Sequence, residues 1–153
     1  IDVLKTNFLS IINKLLSIEN YITNIDINLD TFEIKLFGSK NNELKNLSSG
    51  EQELVILSLL WSLAAMSKRN YPLVFDTLLG RIDENHRNNI IKLLLDKSDR
   101  QIIILSTDTE IDEYHYDKIE PYIERDYLIF KKDKVNHKSI IEENFFYEKE
   151  KVI

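Results

Sequence analysis

Hydrophobic positions change period several times along the chain, and each change marks an element. Leu4, Phe8, Ile11, Leu15, Ile18 and Ile22 stand 4, 3, 4, 3 and 4 residues apart. That is an a/d seam, and it predicts a helix over residues 1–22 with Lys5, Asn13, Lys14 and Ser17 off it. Two readings fit: an amphipathic helix lying on its own domain, or the last three heptads of a coiled coil entering a globular head. From Ile25 the period falls to two. Ile25, Ile27 and Leu29, then Phe32, Ile34 and Leu36, alternate with polar residues, which predicts half-buried strand in two pieces. Residues 38–42 predict a turn.

Glu51–Met66 is the clearest helix, with Leu54, Leu57, Trp61, Ala64 and Ala65 as its inner face. Leu73-Val74-Phe75 and Ile102–Leu105 are short, unbroken apolar runs, which suit parallel strands covered on both faces. Asp83–Leu95, with Asp83 as cap, and Asp112–Tyr122, limited by Pro121, predict two more helices. Tyr127–Phe130 predicts a strand, and Ile140-Ile141 begins a last edge strand. The tail from Glu142 is charged, with aromatic Phe145, Phe146 and Tyr147. Strand and helix alternate in the middle of the chain, so the expected fold class is α/β with a parallel sheet core and flanking helices.

Composition narrows this picture. A chain of 153 residues allows one domain, and 43% hydrophobic residues exclude wholesale disorder. With 26 acidic against 20 basic groups the net charge is −6, which argues against a small nucleic-acid-binding domain held by general positive charge. Lys131, Lys132, Lys134 and Lys138 form a small basic patch that reads as a solvated turn. The absence of cysteine excludes disulfides and cysteine-rich zinc sites and permits a reducing cytoplasm. No apolar run approaches the length of a membrane helix. The chain begins at Ile1 and its sole methionine is Met66, so we expect a processed product or a piece of something longer. His86, His115 and His137 have no metal-ligand spacing and read as surface or packing residues.

Three segments carry chemistry. Leu47-Ser48-Ser49-Gly50-Glu51-Gln52 stands just before the long helix. Gly50 permits close backbone approach, and a helix start binds phosphate through its free N–H groups and dipole. The same residues also read simply as a serine N-cap with acidic residues in the first turn. Asp76 follows a buried strand, where ligands sit in open α/β sheets and where a carboxylate holds Mg²⁺ beside a nucleotide. Gly80-Arg81-Ile82-Asp83 follows, and Ser106-Thr107-Asp108 again places polar side chains at a strand exit. All three segments would then line one edge of the sheet.

In this order the segments resemble the C-terminal lobe of an ABC-type ATPase head. LSSGEQ resembles the signature loop, FDTLLGRID a Walker B strand running into a D-loop, and ILSTD the H-loop position. The helix GEQELVILSLLWSLA looks like the SMC branch, in which a coiled coil enters the head just before this lobe. The division implied is residues 1–22 as a coiled-coil end and residues 23–153 as the lobe. Asp76-Thr77, Gly80-Arg81-Ile82-Asp83 and Ser106-Thr107-Asp108-Thr109-Glu110-Ile111 together resemble the DndD family, the SMC-like ATPases of DNA sulfur modification.

The resemblance implies ATP and Mg²⁺. Ser48, Ser49, Gly50 and Glu51 would meet the γ-phosphate of ATP held by the opposite head, and Asp76 would support Mg²⁺. Gly80 and Asp83 would belong to the D-loop, and Thr107 would face the nucleotide. Thr77 replaces the usual catalytic glutamate and Thr107 the usual switch histidine, which leaves Asp108 as the candidate base. No G-x-x-x-x-G-K-[ST] loop is present: Gly38, Gly50 and Gly80 are the only glycines and none precedes a lysine. The implied partners are the protein's own N-terminal lobe, a second head in an ATP-sandwiched homodimer, DNA, and other sulfur modification subunits. Those are a cysteine desulfurase, a sulfur-transferring enzyme and a small DNA-binding subunit. Alternatives are an SMC-like or RecF-like repair ATPase, and a non-hydrolysing assembly module of ABC fold.

Overall fold

The structure, a computed structural model, describes the chain except residues 17, 19, 32, 68, 81, 96–99, 108, 134–137 and 144–153, and except the side chains of 131–133 and 138. Asp108, His137, the aromatic tail and the side chains of the lysine patch therefore lie outside the described residues. Two compact units are present, Ile1–His115 and Tyr116–Ile153.

The first unit opens with helix α1 (Asp2–Leu16), which ends six residues before the predicted end at Ile22. Its wholly buried positions are Phe8, Ile12, Leu15 and Leu16, while Ile18 is 52% exposed. This stripe is wider than an a/d seam, because α1 packs on two helices at once, α2 (Ser49–Met66) and α3 (Glu84–Leu95). Side-chain amides finish its end. Asn13 Nδ2 donates to Ile22 O at 2.9 Å, and Asn89 Nδ2 of α3 donates to Leu15 O at 3.0 Å.

The alternating segment forms an antiparallel pair, β1 (Asn24–Ile27) and β2 (Ile34–Phe37), with Ile25 opposite Leu36 and both buried. The turn at residues 38–42 closes with the Gly38 N–H donating to Asn42 O at 2.9 Å.

The inner face of α2 differs from expectation. Leu54 and Leu57 are buried as predicted, but Ser58 and Ser62 are the next wholly buried positions, and Ala65 is exposed. The helix is apolar on nearly every side, so period does not choose its face. The small serines are tolerated inside because each hydroxyl donates back to the preceding turn, Ser58 to Leu54 O at 2.7 Å and Ser62 to Ser58 O at 2.6 Å. On the other side Ile56, Leu60, Leu63 and Met66 form an exposed stripe.

Strands β3 (Leu73–Asp76) and β4 (Ile102–Leu105) pair in parallel, with Phe75 opposite Ile104 and Asp76 opposite Leu105. Trp61 of α2 stacks on Phe75, with ring centroids 6.2 Å apart. Only this inward face is covered. Val74, Ile103 and Leu105, predicted to be covered, face outward with 58%, 38% and 45% exposure. The unbroken apolar run is a two-face signal, and the described residues of this chain supply a layer for only one face.

Asp112 caps α4 (Glu113–Ile119), accepting from the His115 N–H at 2.9 Å and from its Nδ1 at 2.7 Å. His115 is buried, a packing residue. In the second unit a short 3-10 turn, Glu120–Tyr122, follows. Strands β5 (Tyr127–Asp133) and β6 (Lys138–Glu143) then pair antiparallel, longer than the apolar residues alone predict. Backbone pairing carries both strands past their apolar centres. Among the described residues no helix is long and apolar enough to cross a membrane.

Candidate functional site

The start of α2 is a complete capping box. Ser48, extended at φ −61° and ψ 163°, accepts the Glu51 N–H on its Oγ at 3.2 Å, and its own N–H donates to Glu51 Oε2 at 2.8 Å. Gln52 Nε2 donates to Leu47 O at 3.0 Å and fixes the entering chain. The serine-cap reading is therefore realised in the structure. It does not use up the site. A hydroxyl that accepts one bond still has its own proton to donate. The N–H groups of Ser49 and Gly50 also stand in the first turn, where no helical carbonyl reaches them.

Glu51 connects this helix start to its surroundings. The Ser48 N–H, then the hydroxyls of Ser48 and Tyr21, hold its carboxyl below the usual glutamate range, and His86 adds attraction. Burial, with Glu51 as hydrogen-bond partner, pushes the Tyr21 hydroxyl up. His86 lies in the first turn of α3 and bonds to Asp83, whose Oδ1 also accepts the N–H groups of Asn85 at 3.0 Å and His86 at 3.2 Å. The His86 bond is the main reason that the Asp83 carboxyl lies below its ordinary value. The beginnings of α2 and α3 are thus neighbours.

At the C-terminal ends of β3 and β4 the two strand exits meet. Thr77 donates its N–H to Leu105 O at 3.0 Å, which sets Asp76-Thr77 beside Ser106-Thr107. Asp76, Ser106 and Thr107 are exposed. Thr77 has φ 51°, a left-handed conformation that a β-branched residue adopts only under strain. Gly80 closes the turn, its N–H donating to Thr77 O at 3.4 Å. Thr107 Oγ1 lies 3.0 Å from Thr109 Oγ1.

Asp76, Thr77, Gly80 and Thr107 therefore form one group at the strand exits. Ser48, Ser49, Gly50, Glu51 and Asp83 form a second at the helix starts. Among the described residues no hydrogen bond or ion pair joins the two. Three residues escaped sequence reasoning: Tyr21 and His86, which flank Glu51, and Glu110, which bonds the Thr107 N–H at 3.1 Å. Glu110 had a signal, its place three residues after Thr107 in a polar turn; Tyr21 had none, since its partner is 30 residues away.

Among the described residues no cluster of three His, Asp or Glu could cage a metal. The donor set at the strand exits suits a different ion. Mg²⁺ keeps much of its water and takes one or two carboxylates plus phosphate oxygens. Asp76 is such a carboxylate, exposed and without a hydrogen-bond partner among the described residues.

No family profile matches the sequence, and no curated protein matches it. Solved structures do match. A chain from work on ATP-driven dimerization and DNA-stimulated activation of SMC ATPases is 13% identical, with a TM-score of 0.68 over 99% of this chain and 89% of that one. An Smc head bound to the C-winged helix domain of ScpA is 15% identical, TM-score 0.68, over 99% of this chain and 45% of that one. The Smc head with a coiled coil and joint from Pyrococcus yayanosii is 14% identical, TM-score 0.69, over 99% and 28%. This chain thus spans less than half of the last two. At these identities the likeness is one of fold: an α/β fold with a parallel strand pair, of the SMC head type.

Proposed function

We propose that this chain is the C-terminal lobe of an SMC-like ABC-type ATPase head, acting in the full-length protein through ATP-driven pairing of two heads. The observation that carries the reading is the meeting of the two strand exits: exposed Asp76 and strained Thr77 lie beside Ser106-Thr107 at the C-terminal ends of parallel β3 and β4. The SMC head fold supports it, as does the uncovered face of β3 and β4. The protein's own N-terminal lobe, bearing the phosphate loop, would cover that face and α1 would continue as a coiled-coil arm.

Each residue then has a task. The Ser48 hydroxyl and the N–H groups of Ser49 and Gly50 would donate to the γ-phosphate of ATP held by the opposite head. Glu51 keeps Ser48 oriented. Asp76 would hold Mg²⁺, which neutralises phosphate charge when bound. Thr77 orients water by hydrogen bonding but has no useful basicity near neutral pH. Asp108 is our candidate base. Gly80 and Asp83 shape the segment between the heads, and Thr107 faces the nucleotide. The partners would be a second copy of the head and DNA, in the cytoplasm.

Within this class we favour DNA sulfur modification, in which a non-bridging phosphate oxygen of DNA is replaced by sulfur, with a cysteine desulfurase, a sulfur-transferring enzyme and a small DNA-binding subunit as partners. Support comes from the Ser106–Ile111 segment, whose resemblance is to DndD. Deletion of the full-length protein from its host should change genomic DNA from iodine-cleavable to iodine-resistant; persistent cleavage would count against this assignment. A non-hydrolysing assembly module is favoured over it only by Thr77 and Thr107, and measurable turnover by the full-length protein would exclude that module.

A further inference from the structure

We infer that Glu110 is a positioning residue: its carboxylate clamps the Thr77–Gly80 turn, which follows Asp76, to the exit of β4, and so fixes the geometry of both strand ends during turnover. The inference rests on the ATPase reading above and adds a part that the reading does not contain.

Glu110 is 5% exposed. A buried carboxylate is costly unless it is bonded, so its surroundings must hold it for a reason. Oε2 accepts the Thr107 N–H at 3.1 Å, while the Glu110 and Ile111 N–H groups both donate to Thr107 O, at 3.1 and 3.3 Å. The turn at the β4 exit is thereby closed from both sides. The other oxygen reaches across to the β3 exit. A β-carbon added to Gly80 would stand 2.4 Å from Oε1 and 3.4 Å from Cδ. A side chain at 80 would push the end of Glu110 aside, so the turn lies flat on the carboxylate only while residue 80 is glycine. One side chain thus touches the backbone of both turns that bear Asp76, Thr77 and Thr107. Being buried, Glu110 is placed to hold the segments that face the nucleotide and not to meet the nucleotide itself.

The test uses the full-length protein with Glu110→Gln, Glu110→Ala and Gly80→Ala. Glutamine keeps the length and an oxygen for the Thr107 N–H; alanine removes both. Gly80→Ala leaves Glu110 in place but forces the carboxylate aside. Glu110→Ala and Gly80→Ala should each lower kcat for ATP about tenfold or more, with KM within about threefold. Glu110→Gln should recover most of the loss. Hydrogen exchange of residues 77–80 and 107–111 should quicken together in Glu110→Ala, and this readout needs no turnover. Unchanged exchange at 77–80 would overturn the clamp. Unchanged kcat in folded Glu110→Ala, or glutamine as damaging as alanine, would overturn the positioning role. If the wild-type protein shows no turnover while exchange still couples the two turns, the ATPase reading fails and the clamp stands.

Discussion

Thr77 donates its backbone N–H to the Leu105 carbonyl at 3.0 Å while holding φ at 51°. The bond that extends the parallel pair past Asp76 is therefore made by a β-branched residue in a left-handed conformation. Such a conformation costs about 1–3 kcal/mol and persists where surrounding bonds enforce it. Glycine adopts it freely. Thr77→Gly should raise the unfolding free energy of this chain by about 1 kcal/mol, with Thr77→Ala close to wild type. Equilibrium urea unfolding measures both, and a less stable glycine variant would remove strain as the account of this turn.

Ser48 is an exposed residue, and exposure alone predicts a small effect of substitution. The capping box changes that expectation. Ser48→Ala leaves the Glu51 N–H without its side-chain partner and should cost about 1 kcal/mol; Ser48→Gly should cost a few tenths. Ser48→Arg should cost at least as much as alanine and, in the full-length protein, block ATP-dependent head pairing. Light scattering with and without ATP reads the pairing; an arginine variant that pairs normally would take Ser48 out of the interface.

Glu51 and Asp83 both have carboxyls lowered in the folded state, by the Ser48 N–H and by the His86 bond respectively. A lowered carboxyl contributes stability above its unfolded value and loses it as pH falls through the folded one. The thermal midpoint of this chain should thus drop on acidification below the ordinary carboxylate range. Glu51→Gln, which keeps a capping oxygen without the charge, should show a shallower drop between pH 5 and 3 (roughly, from the carboxylate range). Parallel curves for the two proteins would show that the charge on Glu51 contributes nothing.

Asp76 and Thr77 should behave unequally in the full-length protein. Asp76→Ala should remove nearly all ATP turnover, because Asp76 is exposed at the strand exits while the neighbouring Glu110 carboxylate is buried and bonded to the Thr107 N–H. Thr77→Ala should lower turnover modestly, since a hydroxyl can orient water but not take its proton. Equal damage from the two, with Asp108→Ala silent, would reverse these roles.

The 153-residue chain by itself should show no ATP turnover, since no phosphate-wrapping glycine-lysine loop occurs in it. Coupled-assay measurement on the purified chain decides this, and activity that survives repurification and is lost with Asp76→Ala would mean that these residues form a site alone.

Local signals dictated much of this protein. Period-two alternation at Ile25–Leu36 placed β1 and β2, Asp83 marked the start of α3, and the apolar runs at residues 73–75 and 102–105 gave the two parallel strands. Such elements depend on contacts a few residues apart, or on burial that any partner layer satisfies. Tertiary structure decided what depends on which surfaces meet. The seam at residues 4–22 could not say that α1 stops at Leu16 or that Ile12 and Leu16 join its buried face, because two helices pack against it. The near-uniform apolarity of α2 could not choose Ser58 and Ser62 over Ala65 for the interior. The strand exits were legible as polar residues after apolar runs, yet the left-handed Thr77, the meeting of Tyr21 with Glu51, and the fit of Glu110 over Gly80 arise only when distant segments pack, because each depends on residues that lie far apart in the sequence.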